Sequence, residues 1–369
     1  MKQKKIALIA EFIANPGGIE KEILNFLQAY PKTDVYVGYY EPKNTYPEFK
    51  NYNIKPFFKK RLPAGLNTFY QRRFYRNLKL KGYDAFLLFG FHTIAAARNN
   101  KPAVWRSTQP LSYIYGWDGS DAEKHNVNLH KGKIIKKMAI KPYLSLLKRQ
   151  DQQDIKHVSK ILGNSKNVKE RLTSVYPKKA EDISVVFPSV NITRFRWKNQ
   201  GDHYLSVSRL TGDKNVDKII RAFHQLPDKN LVVVGDGPQR AALEALAKGY
   251  DNIQILGFVS ERKLQDLYGS CIATISATDL EDFGMGPIES MSAGKPAIAV
   301  NAAGFKETIL PNKTGILIPS SKPEAIEKGV RSLTAKKAKS MRKACEARAR
   351  QFSNEVYVEG ILNALEQEK

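Results

Sequence analysis

Asp279-Leu-Glu-Asp-Phe-Gly-Met-Gly-Pro-Ile-Glu-Ser-Met-Ser-Ala-Gly294 is the segment from which the architecture of this 369-residue chain follows. Ahead of it runs Cys271-Ile-Ala-Thr-Ile-Ser276, and behind it Pro296-Ala-Ile-Ala-Val300. Both runs read as buried strands, and Pro287 to Ala293 reads as a short helix. A loop with Gly284 and Gly286 then links the carboxyl end of a strand to a helix N-terminus. Open α/β sheets bind anions at such places, through free N–H groups and the helix dipole. Glu281 in the loop and Glu289 on the helix suit hydrogen bonding to sugar or ribose hydroxyls. A solvated acidic loop beside a surface helix would carry the same residues.

Strand and helix signals alternate on both sides of this segment. In the second half, Tyr204–Ser208, Leu231–Gly235, Ile253–Ile255 and Ile316–Ile318 read as strands separated by helical stretches. Arg209 and Lys214 follow the first of these strands. A planar guanidinium fork and a mobile ammonium together suit a diphosphate, although solubility charge explains such a pair equally well. In the first half, a strand over residues 5–10 leads through Pro16-Gly17-Gly18 into a helix, a weak glycine signal without the dinucleotide fingerprint. A second strand covers Val35–Tyr39, and residues 41–65 read as irregular. From Lys59 to Lys81 basic residues interleave with aromatic ones, as in a segment lying on an anionic bilayer or in an ordinary helix with its apolar stripe inward. Tyr83–His92 is a strand ending in His92, followed by Val104–Thr108 and by a polar-aromatic loop, Gln109–Asp118, whose Tyr113 and Tyr115 are candidates to line a cleft. A basic helix spans 131–158, with a break expected at Pro142. Asn164-Ser165 caps a helix. The polar stretch Asn191–Asp202 reads as a linker. Two βα-repeating domains result, 1–195 and 200–350, with the periodic segment 352–366 expected to return to the first.

The formal charge is +24, and residues 1–190 hold 34 basic against 15 acidic side chains. So basic a half points to an anionic partner: membrane surface, phosphorylated acceptor or nucleic acid. The two cysteines, Cys271 and Cys345, are unpatterned, which fits a reducing compartment. The apolar run at the N-terminus is too short for a signal core, and no run reaches the length of a membrane span. There is no HExxH, Cys/His cluster, GxxxxGK[ST] or GxSxG, which removes the commoner metalloprotease, NTPase and serine-hydrolase classes.

Taken in order, these motifs resemble glycosyltransferase family 4, the retaining nucleotide-sugar transferases of GT-B fold. Glu281 to Glu289 with Ser-Met-Ser-Ala-Gly-Lys-Pro resembles the family's paired glutamates, and Ser208-Arg209-Leu-Thr-Gly-Asp-Lys214-Asn its phosphate-binding cations. Val234-Gly-Asp-Gly-Pro238, Ala303-Gly-Phe-Lys-Glu307 and Pro16-Gly-Gly18 with Glu20 also match. The resemblance implies two Rossmann-like α/β domains with parallel sheets facing across a cleft. It implies that Arg209 and Lys214 hold the donor diphosphate, Glu289 the ribose and Glu281 the sugar, with Phe283, Gly284, Met285 and Gly286 seating the donor. Gly18 would meet the phosphates, Gly17, Tyr113 and Tyr115 the acceptor side, and His92 the donor sugar. It also implies a metal-independent, cofactor-free transfer to a glycan or lipid-linked acceptor. The expected setting is cytoplasmic and peripheral on an anionic inner membrane surface, in lipopolysaccharide or capsule synthesis, with no nucleic acid bound. GDP-mannose is favoured weakly over a UDP-sugar: Gln109-Pro-Leu-Ser-Tyr-Ile-Tyr115 faintly resembles a segment of bacterial mannosyltransferases, and Ser112 in place of the Arg of its signature weakens the inference. Two departures are Ala302-Ala303-Gly304 in place of paired glycines, and Phe305 after them. A same-fold epimerase or phosphorylase, and a nucleic-acid-binding protein, are the alternatives.

Overall fold

The computed structural model describes residues 4–60, 66–115 and 134–366. The chain divides into two compact units, Met1–Pro188 with Tyr357–Lys369, and Ser189–Val356.

Unit 1 carries seven strands: β1 (Ile6–Ile13), β2 (Asp34–Tyr40), β3 (Ile54–Phe58), β4 (Ala85–Phe89), β5 (Ala103–Ser107), β6 (Lys160–Gly163) and β7 (Ile183–Val185). They form one parallel sheet in the order β3-β2-β1-β4-β5-β6-β7. Its helices are α1 (Gly18–Ala29), α2 (Leu66–Asn77), α3 (Ile134–Asp154) and α4 (Lys166–Val175). A parallel sheet needs helices on both faces, so its strands are apolar on both sides. In β1, Ile6, Leu8 and Ala10 enter a core with Ile23, Leu24 and Leu27 of α1, while Ala7 and Ile9 enter the opposite core with Tyr75 and Trp105.

Unit 2 carries β8 (His203–Val207), β9 (Asn230–Val234), β10 (Ile253–Ile255), β11 (Thr274–Ser276), β12 (Ala297–Val300) and β13 (Gly315–Ile318). Their order is β10-β9-β8-β11-β12-β13, again parallel. The helices are α5 (Val216–Phe223), α6 (Arg240–Ala247), α7 (Glu261–Ser270), α8 (Met285–Ser292), α9 (Pro323–Ser332), α10 (Ala335–Ser340) and α11 (Arg342–Arg350). A last helix, α12 (Asn354–Glu366), places Tyr357, Ile361 and Leu365 in the unit 1 core. The strand order reverses between β1 and β4 in unit 1 and between β8 and β11 in unit 2. Connections diverge there, which opens a crevice at the carboxyl edge of each sheet.

Four local expectations are corrected. Residues 41–65 are not wholly irregular: Ile54–Phe58 pairs with β2 as an edge strand, a position that tolerates Pro56. Helix α3 runs through Pro142 without a break, since a proline removes only one hydrogen bond and the turns around it hold. The helix after Gly284 begins at Met285, two residues early, because Gly284 turns left-handed at its N-cap, φ 88°. The stretch Asn191–Asp202 is polar by composition, yet Phe195 is fully buried and Trp197 is flanked by Lys295 and Arg342. The Lys295 ammonium lies 3.5 Å from the Trp197 ring centre and donates to the Asn199 carbonyl at 2.5 Å. Burial pushes its pKa down to about 8.

Arg106 of β5 ties the elements of unit 1 together. Its Nε donates to Glu22 Oε2 of α1 at 2.6 Å, its Nη1 donates to the Val186 carbonyl at 2.6 Å, and its guanidinium covers the Tyr357 ring of α12 at 5.7 Å. Removing one partner of a buried pair leaves an uncompensated charge, which costs about 3–5 kcal/mol. Arg106→Met is therefore expected to destabilise unit 1 by that amount in chemical denaturation. The double variant Glu22→Leu with Arg106→Met is expected to recover most of the loss, and equal instability of single and double variants would count against the pair.

Candidate functional site

In unit 2 the loops after β8 and β11 flank the reversal point. They enclose a cavity of about 200 Å³ lined by Ser208, Arg209, Lys214, Glu281, the Gly284–Pro287 backbone and Phe305, among others. Lys214 ends a single helical turn, Gly212–Lys214, and its ammonium lies 3.5 Å from Glu281 Oε2 and 3.6 Å from Asp213 Oδ2. At those separations two carboxylates engage Lys214 loosely. Arg209 is exposed and makes no ion pair among the described residues. The first turn of α8 supplies N–H groups at the same cavity, and no atom would meet a Cβ at Gly286 within 4 Å, so the space before the helix is open. Ser208 Oγ is buried without a hydrogen-bond partner among the described residues. Two cations, a helix N-terminus and an unpaired hydroxyl make this an anion site with one carboxylate at its rim.

The cavity lining takes in Arg209, Lys214, Glu281, Gly284, Met285 and Gly286 but neither Phe283 nor Glu289. Phe283 is buried edge-on to Phe352, with ring centres 5.6 Å apart. Glu289 accepts from Tyr268 Oη at 3.0 Å and from Arg194 Nη1 at 3.3 Å. Burial raises its pKa, with Arg194 and the Tyr268 hydroxyl opposing.

In unit 1 the reversal point gathers Glu11 from β1, the glycine loop and His92 after β4. Gly17 is the N-cap of α1, and Gly18 its first residue. The buried Glu20 carboxylate faces the backbone N–H groups of Ala14, Asn15, Gly17 and its own residue; burial raises its pKa against them. The loop amides therefore already face a carboxyl group. His92 is the N-cap of a single 3-10 segment, Thr93–Arg98, and its backbone N–H donates to Glu11 Oε1. Burial and then the positive charge of Arg72 push the His92 imidazole down to about 3, so it is neutral, and its Nδ1 is buried without a partner among the described residues. Gly90, at φ 98°, makes room for Glu11: a Cβ there would lie 2.7 Å from Glu11 Cδ. Burial pushes the Glu11 carboxyl up to about 7, against the His92 N–H, Arg72 and the Phe91 N–H. Tyr115 donates its hydroxyl to Asp151 Oδ2 at 2.8 Å and accepts from Gln152 at 2.9 Å. The Tyr113 side chain and residues 116–118 of that loop lie outside the described residues, as do 61–65 of the basic–aromatic segment and 131–133 before α3. Glu11 carries no motif, and only its place at the end of a strand beside a reversal point could have singled it out.

Residues 191–352 match the family model of glycosyl transferases group 1. An uncharacterized glycosyltransferase of Methanocaldococcus jannaschii is 28% identical over 192 residues, 46% of this chain and 49% of that protein. A GDP-mannose-dependent alpha-(1-6)-phosphatidylinositol dimannoside mannosyltransferase of Mycobacterium tuberculosis is 31% identical over 150 residues, 39% of each chain. The chain thus spans half or less of the length of these curated relatives. A crystal structure of Anabaena HepE with UDP and glucose superposes with a TM-score of 0.72 at 16% identity, covering 99% of this chain and 100% of that one. The chain has the GT-B fold. The family match covers unit 2 almost from end to end, and that unit of the GT-B chain holds the paired cations and the helix N-terminus.

The Glu11 carboxyl gives the GT-B chain a pH signature. A carboxyl whose folded pKa stands above its ordinary 4.5 contributes stability that is full below about 4.5 and lost as pH rises through about 7. Glu11→Gln removes that dependence. The stability of wild type relative to Glu11→Gln is expected to fall between pH 5 and 8 by up to about 3 kcal/mol. Paired denaturation series measure it, and parallel curves would refute the shift.

Proposed function

We propose that this protein transfers a glycosyl group from a nucleotide diphosphate sugar to a hydroxyl of a glycan or lipid-linked acceptor, with retention of configuration. The observation that carries the reading is the unit 2 cavity, where Arg209, Lys214 and the α8 N-terminus converge beside Glu281. Arg209 and Lys214 hold the diphosphate and neutralise the charge that grows on it as the sugar C1–O bond breaks. The α8 amides supply further donors, a division of labour that gives the leaving group a protein-built counter-charge. Glu281 takes sugar hydroxyls. Glu289 takes the ribose, exchanging its contacts with Arg194 and Tyr268 for ribose hydroxyls. The acceptor oxygen forms its bond to C1 on the face the diphosphate leaves, and its proton passes to the departing phosphate oxygen.

Unit 1 takes the acceptor, with Gly17, Gly18 and His92 at its crevice. GDP-mannose is the favoured donor, supported by the mannosyltransferase among the relatives. The acceptor is placed on the cytoplasmic face of an anionic membrane, which the exposed Phe69, Tyr70 and Arg73 of α2 support. No helix among the described residues is long and apolar enough to cross that membrane.

Calorimetry with GDP, UDP and their sugars tests the donor site, and product analysis with an added hydroxyl acceptor separates transfer from isomerisation or phosphorolysis. Lys214→Ala is expected to lower turnover about 100-fold or more. Its contact with Glu281 is partly exposed and long, so the melting temperature is expected to stay nearly unchanged. A folded Lys214→Ala variant with full turnover would overturn the assignment.

A further inference from the structure

At the opposite, amino-terminal edge of the unit 1 sheet, three helical segments end together. They are α2 with Arg76, the 3-10 segment with Arg98, and α3 with Leu146, Arg149 and Asp154, followed by His157. Between them lies a cavity of about 370 Å³, completed by the side chains of Gln150 and Gln153. Asp154 is its only acidic lining residue among the described residues, and that carboxylate is already committed. It accepts from Arg76 Nη2 at 2.9 Å and from Arg72 Nη1 at 3.2 Å, and Arg72 also pairs with Asp151 beneath the floor. Two arginines are thus matched by two aspartates. Arg98 and Arg149 remain, both exposed and both without an acidic partner among the described residues.

The charge left over at the cavity is therefore two positive units. Lys101 and Lys178 add to it from the surroundings: burial first, then these two with Arg98, lower the pKa of His157, with Asp154 alone acting the other way. The uncommitted polar groups are two guanidinium forks, two carboxamides and an imidazole, a set dominated by donors. Planar forks of this kind bind phosphate oxygens in pairs. Helix carboxyl ends favour nearby cations too, but a dipole needs no concave space, and here the cations ring one.

We propose that this cavity is a second ligand site, remote from the glycine loop and His92 of the same unit, and that it holds a phosphomonoester group. Its net charge of two matches the phosphomonoester dianion. Leu146 lines its mouth and Tyr143 lies one turn earlier on α3, both exposed. The same phosphate chemistry is borne by soluble phosphorylated metabolites and by phosphatidate in a bilayer, and the apolar mouth accommodates either carrier. The site does not depend on unit 2 transferring sugar.

The test uses the full chain and two probes, glycerol 3-phosphate in solution and vesicles of phosphatidylcholine with or without phosphatidate. Wild type is expected to bind at least one probe. Arg98→Glu with Arg149→Glu is expected to weaken that binding about tenfold or more, the scale of lost charge-assisted hydrogen bonds. Lys336→Glu with Lys339→Glu, the same charge change at exposed positions of unit 2, is expected to leave it intact. Binding of glycerol 3-phosphate identifies a soluble ligand, and phosphatidate-dependent binding to vesicles alone identifies a lipid. The paired Gln variants at 98 and 149 repeat the comparison if the Glu variants melt early. Binding of neither probe, or equal loss in both double variants, would overturn the site and leave the two arginines as helix-end charges.

Discussion

The amide of Gly304 donates to the carbonyl of Glu281 at 2.7 Å, and a Cβ on residue 304 would stand 2.4 Å from the backbone of Phe283. Only glycine brings the loop after β12 that close to the loop after β11. This contact fixes the segment that turns at Gly284 and starts α8, and so fixes where the helix N-terminus and the Glu281 carboxylate stand. Ala303 beside it adopts φ 42°, a left-handed conformation that costs a side-chain-bearing residue about 1 kcal/mol or more. The strain persists because Gly304 and Phe305 on one side and Val300 on the other are held.

The cationic side of the same cavity is fixed by a different device. Asn215 stands left-handed, φ 52°, at the start of α5, and its side chain donates to the Ala277 carbonyl at 2.9 Å. That bond crosses from the loop after β8 to the loop after β11, over the point where the strand order reverses. Lys214, the residue before it, is thereby held near Glu281. The polar groups of the cavity thus hang on backbone contacts between loops, while their own side chains stay weakly engaged. Side chains held that loosely can turn to a ligand at little cost.

Much of the fold was legible because parallel strands buried on both faces are nearly continuous apolar runs, as in Leu231–Val234 and Ala85–Phe89. Boundaries set by tertiary contacts were not. Ile54–Phe58 is half-buried at the sheet edge and carries a lysine and a proline, so composition conceals it. Phe195 and Trp197 are isolated aromatics in a polar stretch, and their burial depends on Tyr268, Lys295 and Arg342 far along the chain. In the site, Arg209, Lys214, Glu281 and the α8 start were visible as residue types at loop positions. Ser208 was visible only as part of a motif. The Arg194 and Tyr268 contacts of Glu289, and the cradle that Gly90 makes for Glu11, are long-range pairings that no local pattern encodes.

Both units place their functional groups at the same topological point, yet the electrostatics differ in kind. In unit 2 the groups at the reversal are Arg209, without an ion pair among the described residues, Lys214, loosely paired, and the first amides of α8. In unit 1 the Glu20 carboxylate already faces the amides of the glycine loop, and the second acid, Glu11, titrates near neutrality. Beside it stands an imidazole that stays uncharged, with a buried nitrogen that has no partner among the described residues. A phosphate entering that crevice would meet a carboxylate where it needs a donor, at a cost of the order of a lost charged hydrogen bond. A hydroxyl meets no such penalty, since it can donate to a carboxylate and exchange a hydrogen bond with a neutral imidazole. The physical chemistry of the two crevices therefore differs: the unit 2 crevice favours an anionic group, and the unit 1 crevice a hydroxyl.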